Sequence, residues 1–260
     1  MLFIHGNGVD HRLLRELDDV FAEVGAWERI YFDLPGFGET PKLTGRGALP
    51  DIADWLDSVV DGLVASSPFA VVGNSMGGLL ARDLVARRAD RCVGMALLAP
   101  VVNPVRERRT LPEFEVLIED QGLLASLTPF EVEVYAEMAV VQTPENWRRF
   151  RRAALPGIRA ADEDAMQRIG ALYELPGSPD ERLADFGRPV LIIAGKQDAV
   201  VGYEDQWALS RRFGSSTYAA LDAAGHNVHL DQPDQVRALL RAWADRAASQ
   251  LDDVVELPHS

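Results

Sequence analysis

The sequence predicts an α/β protein: a mostly parallel sheet with helices on both faces, interrupted by a long helical insertion. Three observations carry this expectation. Several short segments (Phe69 to Val72, Val93 to Val102, Pro189 to Gly195) are nearly unbroken apolar runs, as strands covered on both faces are. Segments with apolar residues at helical spacing alternate with them. Between residues 103 and 187 the alternation stops, and prolines at 104, 112, 129, 144, 156, 176 and 179 punctuate helical stretches instead.

Taken in order, Met1 to Ile4 reads as the end of a buried strand, followed by the turn His5-Gly6-Asn7-Gly8. Leu13, Leu14, Leu17, Val20, Phe21 and Val24 give residues 9 to 24 a helical spacing. Arg29 to Leu34 reads as a strand closed by Pro35-Gly36-Phe37-Gly38. Asp51 to Val64 is an amphipathic helix with Ile52, Trp55, Leu56, Val59, Val60 and Leu63 on one side. Phe69 to Val72 is a strand and the stretch after Gly77 a helix. Val93 to Val102 is the next strand. After the insertion come a strand at 189–195, a helix from Glu204 to Arg212, a short strand from Thr217 to Leu221 and a closing helix from Gln235 to Ala247. Residues 1–102 and 188–260 then form the core, and 103–187 an insertion over the sheet's C-terminal edge.

Between the central strand and its helix lies Gly73-Asn74-Ser75-Met76-Gly77, a G-x-S-x-G turn in a strand–turn–helix setting. Such a turn strains the serine backbone so that Oγ points outward. It needs glycines where a Cβ would strike the neighbouring strand or helix. The N–H of Met76, at the first turn of the helix, then faces any oxyanion that forms, with the helix dipole behind it.

Composition narrows the function. The chain has 260 residues, 26 basic and 40 acidic, for a net charge of −14. That balance argues against nucleic acid or an anionic membrane as partner. The single cysteine, Cys92, allows no intrachain disulfide and reads as a small core residue. No apolar run reaches membrane-spanning length and no leader segment is visible, so a soluble, cytoplasmic protein, monomeric or homodimeric, is expected.

Five stretches in order resemble one family. His5-Gly6-Asn7-Gly8 is similar to its H-G-x-G loop, Asp33-Leu34-Pro35-Gly36-Phe37-Gly38 to its D-x-x-G-x-G turn, and Gly73 to Gly77 to its nucleophile elbow. Gly195-Lys196-Gln197-Asp198 ends a late strand where its acid sits, and Gly225-His226 with Asp231-Gln232-Pro233 resembles the turn around its catalytic histidine. On these residues the chain resembles the α/β-hydrolase family, of the serine-nucleophile type with a cap, over nearly its whole length. The chain order Ser75, Asp198, His226 is that family's order.

The resemblance implies Ser75 as nucleophile, His226 as general base and then acid, and Asp198 as the carboxylate that orients the imidazole. It implies an oxyanion hole from the backbone N–H groups of Asn7 and Met76, and no metal or organic cofactor. His229 and His259 are rivals for the base, but only His226 follows a glycine in the family pattern; His229 reads as a loop or surface residue. Asp205 is a rival for the acid. Asn103, where some relatives carry an acid, cannot hold a negative charge. His5 reads as a support for the oxyanion loop, and His11 has no role.

A serine nucleophile argues against the haloalkane-dehalogenase and epoxide-hydrolase branches, which use aspartate there. The absence of H-G-G-P-G argues against proline aminopeptidases. A carboxylic ester or lactone hydrolase acting on a small to medium acyl substrate is the expectation. A meta-cleavage C–C hydrolase is kept as an alternative, although Asn227 stands where those proteins carry tryptophan. A small-molecule receptor on the same fold is the other alternative.

Two departures stand out. The family's first two strands have no counterpart, which implies a sheet of about six strands, an internal start codon or a fragment. The insertion matches no motif, so its role as cap and pocket wall is inferred from position. For Phe114, Leu117, Ile118, Leu123, Leu124, Phe130, Tyr135, Met138 and Trp147, packing of the insertion onto the core is preferred over lining a pocket. The arginine clusters Arg106, Arg108, Arg109 and Arg148, Arg149, Arg151, Arg152 are expected to face solvent, with a clamp on a substrate carboxylate as the rival role.

Overall fold

The structure is a computed structural model that describes residues 1–24 and 27–251. The chain runs β1 (Leu2–Ile4), α1 (Arg12–Arg15), α2 (Asp18–Ala22), β2 (Ile30–Tyr31), α3 (Leu49–Val64), β3 (Phe69–Asn74), α4 (Met76–Arg87) and β4 (Cys92–Leu98). A 3-10 turn (Arg106–Arg108) then leads to β5 (Ile118–Glu119), α5 (Gln121–Ser126), α6 (Pro129–Ala136) and β6 (Val141–Gln142). Next come α7 (Pro144–Ala153), α8 (Leu155–Ala160), α9 (Glu163–Ala171) and α10 (Pro179–Arg182). β7 (Val190–Gly195), α11 (Glu204–Ser210), β8 (Ser216–Leu221), α12 (Val228–Asp231) and α13 (Pro233–Ala248) complete it.

Six strands form one all-parallel sheet in the order β2-β1-β3-β4-β7-β8. β3, β4 and β7 are buried at every residue, which explains their unbroken apolar sequence. One face packs on α3 and α4 through Leu56, Val60, Leu80 and Leu84; the other packs on α2 and α13 through Phe21, Leu240 and Trp243. The protein is therefore an α/β sandwich built as expected. Cys92 is buried in the core, where burial pushes its thiol up to about 12.

Several elements differ from expectation. The helix expected over 9–24 breaks into α1 and α2, because a turn at Leu17, whose N–H bonds to Leu14 O at 3.0 Å, redirects the chain. The edge strand expected over 29–34 shrinks to Ile30–Tyr31, and the strand expected to reach Val102 stops at Leu98, where Ala99 takes a positive φ of 44°. The segment 103–187 contains a two-residue parallel pair, β5 with β6, that no periodicity announces.

That segment packs in two places. Tyr135, Trp147 and Phe150 cluster with Leu13 of α1 and Leu230 of α12. Ile169, Leu183 and Phe186 join the core beside α3 and α4 instead. Tyr135 and Trp147 are thus buried as expected, and Leu123 and Leu124 pack partly. Phe114, Leu117, Ile118 and Phe130 are exposed, against the preferred expectation, because the approach to β5, β5 itself and the first turn of α6 lie on the outer surface. Trp147 and Phe150 of α7 and Ala154 at its C-terminal cap do share one buried face. The guanidinium of Arg149 donates to Leu230 O at 2.7 Å and fastens α7 to α12.

Candidate active site

The site lies at the C-terminal ends of β1, β3 and β7, where chain reversals gather residues far apart in sequence. Ser75 occupies the turn between β3 and α4 with φ 53° and ψ −118°, a strained backbone for a residue with a side chain. The turn is pinned on both sides: Ser75 N–H donates to Leu98 O (3.1 Å), and Ser75 O accepts from the N–H groups of Gly78 (2.9 Å) and Val101 (3.0 Å). A Cβ on Gly77 would collide with the carbonyl oxygens of Ile4 and His5, so the elbow can close against β1 only with glycine there.

The turn after β7 carries Asp198. Lys196 N–H bonds to Leu221 O and Gln197 N–H to Ala224 O, both at 2.9 Å, which draws this turn against the loop that carries His226. Asp198 is fully buried. Its Oδ1 accepts from the N–H groups of Val200 (2.8 Å) and Val201 (3.0 Å), and its Oδ2 lies 2.9 Å from His226 Nδ1. His226 Nε2 lies 3.0 Å from Ser75 Oγ. With Nδ1–H donating to the carboxylate, Nε2 is left free to accept from the serine hydroxyl. The fold thus brings Ser75, His226 and Asp198 into one hydrogen-bonded chain.

The loop after β1 meets this chain. Gly6 lies so near that a Cβ on it would sit 3.0 Å from Ser75 Cβ, and Asn7 lines the same cavity as Ser75 and His226. Met76 is the first residue of α4, so its N–H has no partner within the helix. His5 is fully buried beneath the loop; Nδ1–H donates to Gly6 O (2.7 Å) and Nε2 accepts from Leu34 N–H (2.9 Å).

The other sequence candidates lie elsewhere. Asp205 accepts from Thr110 N–H (3.2 Å), and Asn103 closes a turn through Val105 N–H (3.2 Å) and Arg108 O (3.1 Å). His259 lies outside the described residues. His229 is neither loop nor surface: it sits in α12, fully buried beside the backbone of Leu13 in α1. The sequence misleads here because α12 is a single turn whose neighbours Val228 and Leu230 are buried as well.

Beyond this hydrogen-bonded chain, Asp231 is a buried carboxylate whose Oδ2 accepts from Gly225 N–H (2.8 Å) and whose Oδ1 accepts from Asn146 Nδ2 (2.7 Å). Tyr135 donates to Asn146 Oδ1 (3.0 Å), so a buried polar chain links the 103–187 segment to the residue before His226. Asp10, His11 and Asp33 gather potential metal-ligand atoms within 4.8 Å of one another. They are already engaged: His11 bonds to Asp33 Oδ1 through its backbone (2.9 Å) and ring (2.8 Å), Asp33 Oδ2 accepts from Glu39 N–H (3.0 Å), and Asp10 pairs with Arg12.

Two chambers meet at His226. The inner, of about 520 Å³, opens onto Ser75 and is lined by apolar side chains including Leu13, Val134, Met138, Phe150, Ile158 and Met166. The outer, of about 680 Å³, is bounded by Phe114, Val132, Ala136, Gln197 and Ala199. Arg106, Glu137, Met138 and Val200 border both. Asn227, noted in the sequence as the residue after His226, lines the inner chamber together with Val9 and Tyr173; no sequence signal placed Tyr173 there, because tertiary packing alone brings it in.

Burial of the histidines makes stability depend on pH. Burial lowers the pKa of His5 to about 4 and that of His229 to about 3, and raises that of Asp231 to about 6. Below pH 6.5 the unfolded chain takes up protons at both histidines while the folded chain does not, so stability falls as pH falls. Asp231 opposes this between its folded value and the ordinary carboxylate range. The net expectation is a loss on the order of 2–3 kcal/mol between pH 7 and pH 5. Urea unfolding at the two pH values checks it: an unchanged midpoint would contradict the buried neutral histidines.

The pattern of the Alpha/beta hydrolase family matches residues 1–239. The chain belongs to the α/β hydrolase family. It is 27% identical over 259 residues to the dihydrolipoyllysine-residue acetyltransferase component of the acetoin cleaving system of Cupriavidus necator; the match covers 93% of this chain and 62% of that protein, less than two thirds of its length. It is 26% identical over 249 residues to a pimeloyl-(acyl-carrier protein) methyl ester esterase of Neisseria meningitidis serogroup B, covering 93% of this chain and 91% of that protein. An α/β superfamily hydrolase from Oenococcus oeni superposes with a TM-score of 0.84 over 95% of this chain and 92% of that chain at 22% identity, a likeness of fold. No helix among the described residues is long and apolar enough to cross a membrane.

Proposed function

We propose that this enzyme is a serine hydrolase that cleaves a small to medium carboxylic ester or lactone through an acyl-enzyme at Ser75. The observation that carries the proposal is the hydrogen-bonded chain from Ser75 Oγ through His226 to the buried Asp198, opening onto an apolar chamber.

The steps follow from that chain. Ser75 Oγ attacks the ester carbonyl as His226 Nε2 takes its proton. Asp198 holds the imidazole in the accepting tautomer and stabilises the imidazolium. The N–H groups of Asn7 and Met76 receive the negative charge on the carbonyl oxygen, and one such donor is worth about 3–4 kcal/mol of transition-state stabilisation. His226 returns the proton to the departing alkoxide. A water deprotonated by His226 then attacks the acyl-enzyme, and the acid leaves as Ser75 regains its proton. Nucleophile, base and oxyanion donors all come from the chain, so the chemistry requires no cofactor. Residues 103–187 act as the cap that walls the acyl chamber. The sequence similarity to an enzyme named as a methyl ester esterase supports this substrate class.

A panel of esters and lactones graded by acyl length tests the proposal. Turnover is expected for acyl groups that fit a chamber of about 520 Å³, falling for longer chains. A folded protein that turns over no member of the panel would refute it.

A further inference from the structure

The chamber beside Ser75 holds an arrangement that ester cleavage does not require. Arg109 reaches it from the strand exit beyond β4. Its Nε donates to Asn103 O (2.8 Å), Nη1 to Val200 O (2.9 Å) and Nη2 to Pro104 O (3.2 Å). All three acceptors are neutral carbonyls, and among the described residues no carboxylate lies within ion-pair distance of it. A guanidinium has five N–H donors, so two remain unused. The carbonyls already fix its plane, and a further bond therefore costs little side-chain freedom.

Two more groups converge there. Tyr173 lines the same chamber, and among the described residues its hydroxyl has no hydrogen-bond partner. Arg106, exposed to solvent like Glu137, borders both chambers and has neither a hydrogen bond nor an ion pair through its side chain among the described residues. In a chain of net charge −14 this is unusual company. Burial works against the charge of Arg109, and a partly buried charge is most stable with a counter-ion. Asp198 and Asp205 favour that charge from further away, but neither lies within ion-pair distance of the guanidinium. Asp198 is engaged by His226 and two N–H groups, and Asp205 by Thr110. Glu137, at the neck, is exposed and screened by water.

We propose that this chamber contains an anion subsite, and that the substrate is an ester carrying a second, free carboxylate, such as the half-ester of a dicarboxylic acid. Arg109 and Tyr173 hold the carboxylate, Arg106 faces it from the neck, and the apolar wall at Met138, Ile158 and Met166 covers the methylene chain between the two ends. The inference rests on the ester-hydrolase reading and names its substrate class.

The test separates the two. Ser75→Ala protein is titrated calorimetrically with monomethyl glutarate, adipate and suberate, and with the corresponding dimethyl esters. At least one half-ester is expected to bind about tenfold or more tightly than its diester, the size of a charge-assisted contact. Arg109→Gln removes that advantage. Because Arg109 also joins three carbonyls, Arg106→Gln and Tyr173→Phe are the decisive variants: each reduces the advantage several-fold while the melting temperature stays unchanged. Equal affinities, or no detectable half-ester binding, overturn the subsite. Turnover by the unmodified enzyme is read in parallel. Diester hydrolysis without half-ester preference overturns the subsite and leaves the hydrolase reading standing; half-ester binding without any turnover does the reverse.

Discussion

Replacing Asp198 by asparagine is expected to lower kcat for ester hydrolysis by about four orders of magnitude in a protein that remains folded. The two halves of the side chain have separate tasks. Oδ1 accepts from Val200 and Val201 N–H, a role the amide oxygen of asparagine keeps. Oδ2 faces His226 Nδ1 at 2.9 Å, and there asparagine presents an NH2 group. Two donors cannot face each other, so the imidazole shifts its proton to Nε2 and presents N–H to Ser75 Oγ. The base is then in the wrong tautomer, and the stabilisation of the imidazolium is lost as well. Steady-state kinetics on the best ester, with circular dichroism as the folding control, checks this. A loss under tenfold would mean that Asp198 does not orient the histidine.

Replacing Asp180 by alanine is expected to cost about 3 kcal/mol of stability without altering the residues at Ser75. Arg82, on the elbow helix α4, is completely buried. Its Nη1 donates to both carboxylate oxygens of Asp180 (2.7 and 2.9 Å), and its Nη2 to Val101 O (2.6 Å). Removing the carboxylate leaves a guanidinium in the core with neutral acceptors only. For a chain of this size the melting temperature should fall by roughly 6–12 °C. Replacing both partners, Arg82→Met with Asp180→Leu, should recover most of the loss, since a buried ion pair gives back little more than its desolvation costs. Calorimetry on the single and double variants decides; a single variant as stable as the parent would show that the pair is not needed.

How much of this was legible in the sequence depends on the range of the signal. Local signals were plain. The G-x-S-x-G turn is readable because Gly77 must pass against the carbonyls of β1, a constraint that allows no other residue. The buried strands β3, β4 and β7 are readable because both faces are covered, which forces an unbroken apolar run. The residues Ser75, Asp198 and His226 were picked through a resemblance, and the fold brings them within hydrogen-bond distance. Long-range features left no local trace. Arg82 looks like an ordinary solvent-facing arginine on a helix, and only Asp180, 98 residues away, explains its burial. His229 sits one turn from His226 and appears loop-like, yet α12 is enclosed on all sides. The pairing of β5 with β6 rests on two residues per strand, too few for any periodicity to register. Arg106 and Arg109 belong to a cluster that reads as solvated surface, but the chain folds the second of them back onto three carbonyls.

The central claim is an activated Ser75 beside a working oxyanion hole, and fluorophosphonate labelling read by intact mass tests it most directly. The account predicts a single adduct on the 260-residue chain and none on Ser75→Ala, since the reagent reacts only where His226 can take the serine proton and backbone N–H groups can receive the phosphonyl oxygen. A folded protein that acquires no adduct would contradict the account and would favour a binding protein built on a hydrolase fold.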